Sequence, residues 1–380
     1  MNRLDDRPEC IVVGLGIMGS ACLHELAKRG HAVLGLDQLS PPHPLGSSHG
    51  HSRIIRASYF EHPSYVPLVI RALELWRGIE LEAQTSLFRR TGCLSIGPED
   101  GLLCMGARRA LAPHSLPFEE LDAEKVLIRY PFLRLPQGHQ ALLEPLAGVL
   151  HPERCVQALL ALARRKGASL RLNERVLRWK SLGRHFKVAT ERGTYLAERL
   201  LLCVGPWMKK FLPELPLACE RQVMFWFEWD ASRMERALEQ VPALIAETNE
   251  GFFYGIPEPE RGLYKVARHH GGASCEPDRL EREVKEEDLR PIAQFLDRYM
   301  PALRARPKEA RVCIYTNTPD QHFIVDHLPR QENLIIISAC SGHGFKFAPA
   351  IAEEAADLAE GKIKGPRQQL FSLSRFAGAA

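Results

Sequence analysis

Several short stretches of this 380-residue chain hold side chains with catalytic potential. "SRIIRASY" sets Arg53 and Arg56 around Ile54 and Ile55. Those apolar neighbours predict partial burial of Arg56, where an unpaired guanidinium would be costly unless a ligand or carboxylate met it. "GHGFKF" puts Lys346 in what reads as the first turn of the last helix, where a cation opposes the macrodipole. A charge placed against the dipole favours a functional reason. "YKVARHH" carries Lys265, His269 and His270; on its residues alone, a lysine in such an alternating strand reads as a solvated face. "RVCIYTNTPD" sets Cys313 between valine and isoleucine, two residues before Tyr315. Taken alone it reads as one more buried thiol. His49 and His51 form an HxH pair with no third ligand at telling spacing, so no metal centre is expected.

These groups need a scaffold, and the first 40 residues supply part of it. "ECIVVGLGIMGSACLHELAKRGHAVLGLD" reads as strand, glycine turn, helix and strand, closing on Asp37. Gly14 permits the tight turn, Gly16 lets backbone approach a pyrophosphate, and Gly19 lets helix and strand pack closely. The helix N-terminus would face phosphates with its partial positive charge, and Asp37 would accept from a ribose hydroxyl. The fingerprint predicts a dinucleotide site and does not separate FAD from NAD.

Downstream, Ser64 to Ala83 has helical spacing, and "RRTGCLSIGP" alternates like a strand. From Glu144 to Leu172 the pattern is turn, long helix and strand, and "TYLAERLLLCVGPW" reads as one strand running into a Gly-Pro turn. Aromatic-rich alternation between Gln222 and Arg268 suits an antiparallel sheet. A buried strand at Leu334 to Ser338 then passes through Gly342 and Gly344 into a helix that Gly361 closes.

At this length two lobes are expected, and without a linker they should interleave. A net charge of +4 from 50 basic and 46 acidic residues is too small and too mixed for a nucleic-acid partner. The start "MNRLDDRPEC" lacks an apolar h-region and the end "FAGAA" lacks a peroxisomal signal. No apolar run approaches the roughly 20 residues of a membrane span. The expectation is a cytosolic protein without a membrane partner. Its ten scattered cysteines, with no CxxC, suit reduced core thiols.

Over nearly its whole length the chain resembles the monomeric sarcosine oxidase and N-methyltryptophan oxidase family of flavoproteins, which includes pipecolate oxidases. The resemblance rests on "IVVGLGIMGS", "GSSHGHSRIIRASY", "YVPLVIRALELW", "TGCLSIGP", "YKVARHHGG", "VCIYTNTPDQHFIVD" and "SGHGFKF". It selects FAD over NAD. It implies a D-amino acid oxidase-like α/β (α+β) fold, in which a Rossmann-type FAD-binding domain (1–85, 150–218 and 315–380) interleaves with an antiparallel-sheet substrate domain (86–149 and 219–314).

The implied activity is oxidation of a secondary amino acid: hydride passes to flavin, water opens the imine, and O2 becomes peroxide. By this resemblance Cys313 carries FAD through a thioether, while Arg56 and Lys346 anchor the substrate carboxylate. Arg53, Lys346, Lys265 and His269 would surround the amine with positive charge and favour its neutral form. His269 would sit near the amine, Tyr254 and Tyr315 would wall the pocket, and Lys265 would stabilise reduced oxygen. Gly14, Gly16, Gly19 and Asp37 would hold the adenosine diphosphate end, Val176 the adenine, and Ser47, His49 and Arg53 the flavin, with Gly342, Gly344 and Lys346 beside it. His270 is expected to be structural.

The chain departs from the family at His51, where an acid is expected, at Ser52 for threonine, and at Cys340 for a larger apolar residue. These leave substrate size open, with "ERQVMFWFEWD" and "LPELP" leaning toward the N-methyltryptophan members. The resemblance further implies a monomer acting on a small amino acid and O2. The alternatives are an L-pipecolate oxidase, a flavin dehydrogenase using another acceptor, and a flavin-binding protein without turnover.

Overall fold

The computed structural model describes residues 7–230 and 240–376; most of "MNRLDDRPEC" and of "FAGAA" lies outside the described residues. One six-stranded sheet runs in the order Ile324–Leu328, Gln331–Ser338, Arg199–Leu202, Cys10–Val13, Val33–Leu36 and Ser169–Arg171. Its pairings are parallel except at the Ile324–Leu328 edge. Strands of this kind are covered on both faces, which explains the continuous apolar runs in Cys10–Val13 and Leu334–Ile337. The first helix, Ile17–Lys28, packs against Pro152–Arg165 and Ala348–Ala359. The helix read at Ser64 to Ala83 spans Tyr65–Ala83 and joins the same core.

The second sheet has eight strands: Glu309–Asn317, Ala218–Glu228, Leu263–His269, Gly251–Glu258, Ala243–Thr248, Cys93–Pro98, His139–Glu144 and Glu119–Leu121. It is antiparallel apart from the parallel pair Ala243–Thr248 and Cys93–Pro98. The boundary expected at 314/315 falls inside its Glu309–Asn317 strand. "TYLAERLLLCVGPW" folds as two strands, Thr194–Ala197 and Arg199–Leu202, because Ala197 ends a small antiparallel sheet and Arg199 begins pairing with Cys10.

Alternation along the eight-stranded sheet sorts its side chains. Phe225, Phe227, Tyr264, Val266 and Phe253 face one side, where Phe253 stacks on Phe295 of the helix Glu286–Tyr299 at 4.6 Å between ring centroids. Met224, Trp226, Lys265, Ala267, His269, Cys313, Tyr315 and Tyr254 occupy the other face by the same period of two. Register brings them together: Trp226 lies opposite Lys265, Ala267 opposite both Met224 and Tyr254, and Cys313 opposite Gln222.

Candidate active site

A cavity of about 310 Å³ lies between the two sheets. Its lining includes Gly14, Gly16, Asp37 and Val176 together with Cys313, Tyr315, Tyr254, His269, Arg56 and Lys346. Gly14 has φ +86°, and a Cβ there would lie 2.6 Å from the Cys203 carbonyl oxygen. A Cβ on Gly19 would lie 1.7 Å from the Gly14 oxygen, so Gly19 serves helix-to-loop packing and is not on the cavity wall. The Ile17–Lys28 helix begins at Gly16 without a side-chain cap, apart from the Ile17 amide donating to Ser48 Oγ at 3.1 Å. Asp37 Oδ2 accepts from the Leu15 amide at 2.6 Å and Oδ1 from Leu39 at 2.8 Å. It therefore also closes the glycine loop, a duty the spacing alone did not reveal. Ser48 was missed; its only signal was its place in "GSSHG".

Cys313 is 3% exposed and opens on the cavity. Burial raises its thiol pKa, and Arg53 acts against that rise. Arg53 donates to the Ser52 and Ser47 carbonyl oxygens at 2.8 and 2.9 Å, and Ser47 Oγ donates to the Ile314 carbonyl at 2.7 Å, tying the 47–53 loop to the Cys313 strand. Tyr315 Oη lies 3.3 Å from His269 Nδ1. A Cβ on Gly342 would come within 2.5 Å of the Tyr315 ring and 2.7 Å of His269, so glycine is required where the second loop passes them. Gly344 also lines the cavity.

The cations have distinct settings. Arg56, 3% exposed, donates Nη2 to both Glu61 carboxylate oxygens at 2.8 and 3.0 Å and Nη1 to the Ser58 carbonyl oxygen. Its Cζ stands 4.7 Å from the Tyr59 ring centroid, and Lys346 Nζ stands 5.2 Å from the same centroid. Lys346 occupies the 3-10 turn Phe345–Phe347, before the helix Ala348–Ala359 and not in its first turn as expected. Glycines 342 and 344 bend the chain ahead of it, and Pro349 starts the α-helix. Burial, then Arg56, lowers the Lys346 pKa to about 7.

Lys265 is fully buried, unlike the solvated residue its pattern suggests, and donates to the Gly50 and Ser52 carbonyl oxygens at 3.0 and 2.6 Å. It stands behind the cavity wall. Burial, then Arg53, brings it to about 7. His269 was expected among the positive groups; burial and then His270 push its pKa well below the ordinary value, which works against that charge. His49 is 2% exposed, does not line the cavity, and is lowered to about 3 by burial and Arg53. His270 contacts Glu220 at 3.4 Å. Glu61, five residues after Arg56, was missed; nothing in its local pattern separates it from a surface acid.

A sequence model of the family described as FAD dependent oxidoreductase matches residues 9–358. The chain is 39% identical over 379 residues to the monomeric sarcosine oxidase of Streptomyces avermitilis, covering 98% of each chain. It is 34% identical over 377 residues to the N-methyl-L-tryptophan oxidase of Salmonella heidelberg, covering 97% of this chain and 99% of the other. Its fold is similar to that of NikD, an unusual amino acid oxidase essential for nikkomycin biosynthesis, with a TM-score of 0.85, 23% identity and 97% of each chain covered. With the matched region enclosing both glycine loops and the cavity between them, the chain belongs to the family of FAD-dependent oxidoreductases.

Proposed function

We propose that the chain is an FAD-dependent oxidase of secondary-amine amino acids, with N-methyl amino acids as its substrate class. The substrates come from the named relatives. The observation that carries the reading is the approach of two buried cations, Arg56 and Lys346, to one Tyr59 ring at the cavity that Cys313 also reaches. The residues fit FAD: the glycine loop and helix N-terminus can take a pyrophosphate, and Ser338 Oγ, on the cavity wall, has no hydrogen-bond partner among the described residues. Bound there, FAD would supply the acceptor for a hydride leaving the carbon beside the amine, with O2 as the final electron acceptor.

The remaining work falls to side chains. Lys346 and Arg56 hold the carboxylate by charge-assisted hydrogen bonds, for which Arg56 must loosen its hold on Glu61. Cationic Arg53 and Lys346 disfavour an ammonium beside them, so the amine yields its proton before hydride leaves. Neutral His269 presents a polar ring, braced by Tyr315, without adding charge. Tyr254 helps exclude water from the cavity wall. Lys265 supports charge on reduced oxygen from behind the wall. Cys313 would hold the cofactor through its sulfur, and Gly14, Gly16, Asp37 and Val176 would hold its adenosine end.

The same reading keeps two interleaved lobes, with the whole Glu309–Asn317 strand in the substrate lobe, and describes a monomer. Ten cysteines, none of them in a disulfide among the described residues, suit a reducing cytosolic compartment. The test is acid precipitation of the purified protein, followed by absorbance of pellet and supernatant. A second sample takes sarcosine, N-methyl-L-tryptophan or L-pipecolate under anaerobic conditions. Flavin that stays oxidised with all three, or turnover in air without peroxide, would refute the assignment.

A further inference from the structure

Behind the carboxylate-facing cations runs a buried chain of hydrogen bonds whose direction can be worked out. His343 Nε2 lies 3.1 Å from the Gln321 carbonyl oxygen, and His343 Nδ1 lies 2.7 Å from Tyr59 Oη. Lys346 Nζ lies 3.2 Å from Tyr59 Oη and 2.7 Å from the His343 carbonyl oxygen. A carbonyl only accepts, so a neutral His343 carries its proton on Nε2 and leaves Nδ1 as an acceptor. Tyr59 has one hydroxyl proton and must give it to Nδ1. Its oxygen can then only accept from Lys346.

We propose that Tyr59 and His343 are positioning residues that make Lys346 a donor to two fixed acceptors, so that its third valence alone faces the substrate cavity. This rests on the carboxylate-binding reading above. An ammonium has three donors, two of which are spent on Tyr59 Oη and the His343 carbonyl. The third is left for a substrate carboxylate. Reversing the Tyr59 hydroxyl would turn that acceptor into a donor aimed at Lys346, which disfavours the ammonium. The His343 proton on Nε2 prevents the reversal. Burial keeps the chain in one arrangement: Tyr59 is 0%, Lys346 6% and His343 8% exposed. Burial and Lys346 also push the His343 pKa well below its ordinary value, consistent with a neutral ring.

The groups acting on Lys346 are Arg56, Glu61, Cys93 and Arg53, together with Tyr59 and His343. Burial and Arg56 thus work against the charged form of Lys346, and the two fixed acceptors work for it.

The test is a titration of the FAD-loaded enzyme with propionate, a carboxylate that cannot be oxidised at an amine, followed by flavin absorbance from pH 6 to 9. Tyr59→Phe should weaken propionate about tenfold and move the loss of binding to lower pH. His343→Asn, whose side-chain oxygen can take the place of Nδ1, should stay near wild type. His343→Leu should behave like Tyr59→Phe, giving the same contrast without altering Tyr59 if that variant does not fold. Equal affinities and pH midpoints in wild type, His343→Leu and His343→Asn overturn the proposal. No propionate binding to wild type removes the carboxylate site itself, and the proposal with it.

Discussion

Glu61 places both carboxylate oxygens on Arg56 Nη2, at 2.8 and 3.0 Å, so an internal carboxylate already engages a guanidinium on the cavity wall. Any ligand carboxylate at Arg56 competes with this pair. Glu61→Gln should strengthen binding of a small carboxylate by several-fold, because an amide holds Arg56 less firmly than a carboxylate. The same change leaves a buried guanidinium less compensated and should cost about 1–2 kcal/mol of stability. Propionate titration and denaturant unfolding check the two halves; weaker ligand binding in Glu61→Gln would reverse the assigned competition.

Cys313→Ala should leave FAD bound but extractable. The glycine loop and Asp37 lie on the other sheet and are untouched by the change. Yellow colour should stay in the acid pellet of wild type and move to the supernatant in the variant.

Carboxylate affinity should fall as pH rises through about 7 in the free enzyme, because Lys346 titrates there and only its cationic form offers three donors. The sign follows from burial, which lowers a lysine pKa by disfavouring charge. Bound carboxylate opposes that effect and should move the midpoint upward. Lys346→Met should abolish this limb of the profile while leaving the FAD spectrum in place.

Lys265→Met should slow flavin reoxidation by O2 by about 10² to 10³, the usual scale for losing one electrostatic stabiliser. Substrate affinity should change little, since Lys265 is behind the cavity wall. Stopped-flow absorbance separates reduction from reoxidation, and an equal loss in both would contradict the assigned role.

Gly19→Ala should yield protein without FAD. Its Cβ would meet the Gly14 oxygen at 1.7 Å, a backbone clash that only movement of the loop or helix can relieve. Absorbance after purification in excess FAD reads the outcome.

Where neighbours in the chain settle a residue's duty, the sequence was sufficient. Gly14, Gly16, Gly19 and Asp37 belong to one strand-turn-helix-strand unit, and Gly19 is dictated within it by its close approach to Gly14, although Gly14 must also be glycine to clear the distant Cys203 carbonyl. The buried strands and the Tyr65–Ala83 helix were likewise readable from apolar period. Lys265 was not, because alternation says only that a residue points to one face of a sheet. Whether that face meets water or another sheet depends on distant chain, here the Gly50 and Ser52 carbonyls 215 and 213 residues away. Charge state was equally hidden. Burial and neighbours supplied by other elements push the His269 pKa down and bring that of Lys346 to about 7. The sequence by itself determined the dinucleotide loop, the class of fold and a set of polar residues that gather around the cavity. Only the tertiary structure decided which of them share a wall, which stand behind it and which carry charge, because desolvation and Coulomb interaction depend on spatial distance and not on position along the chain.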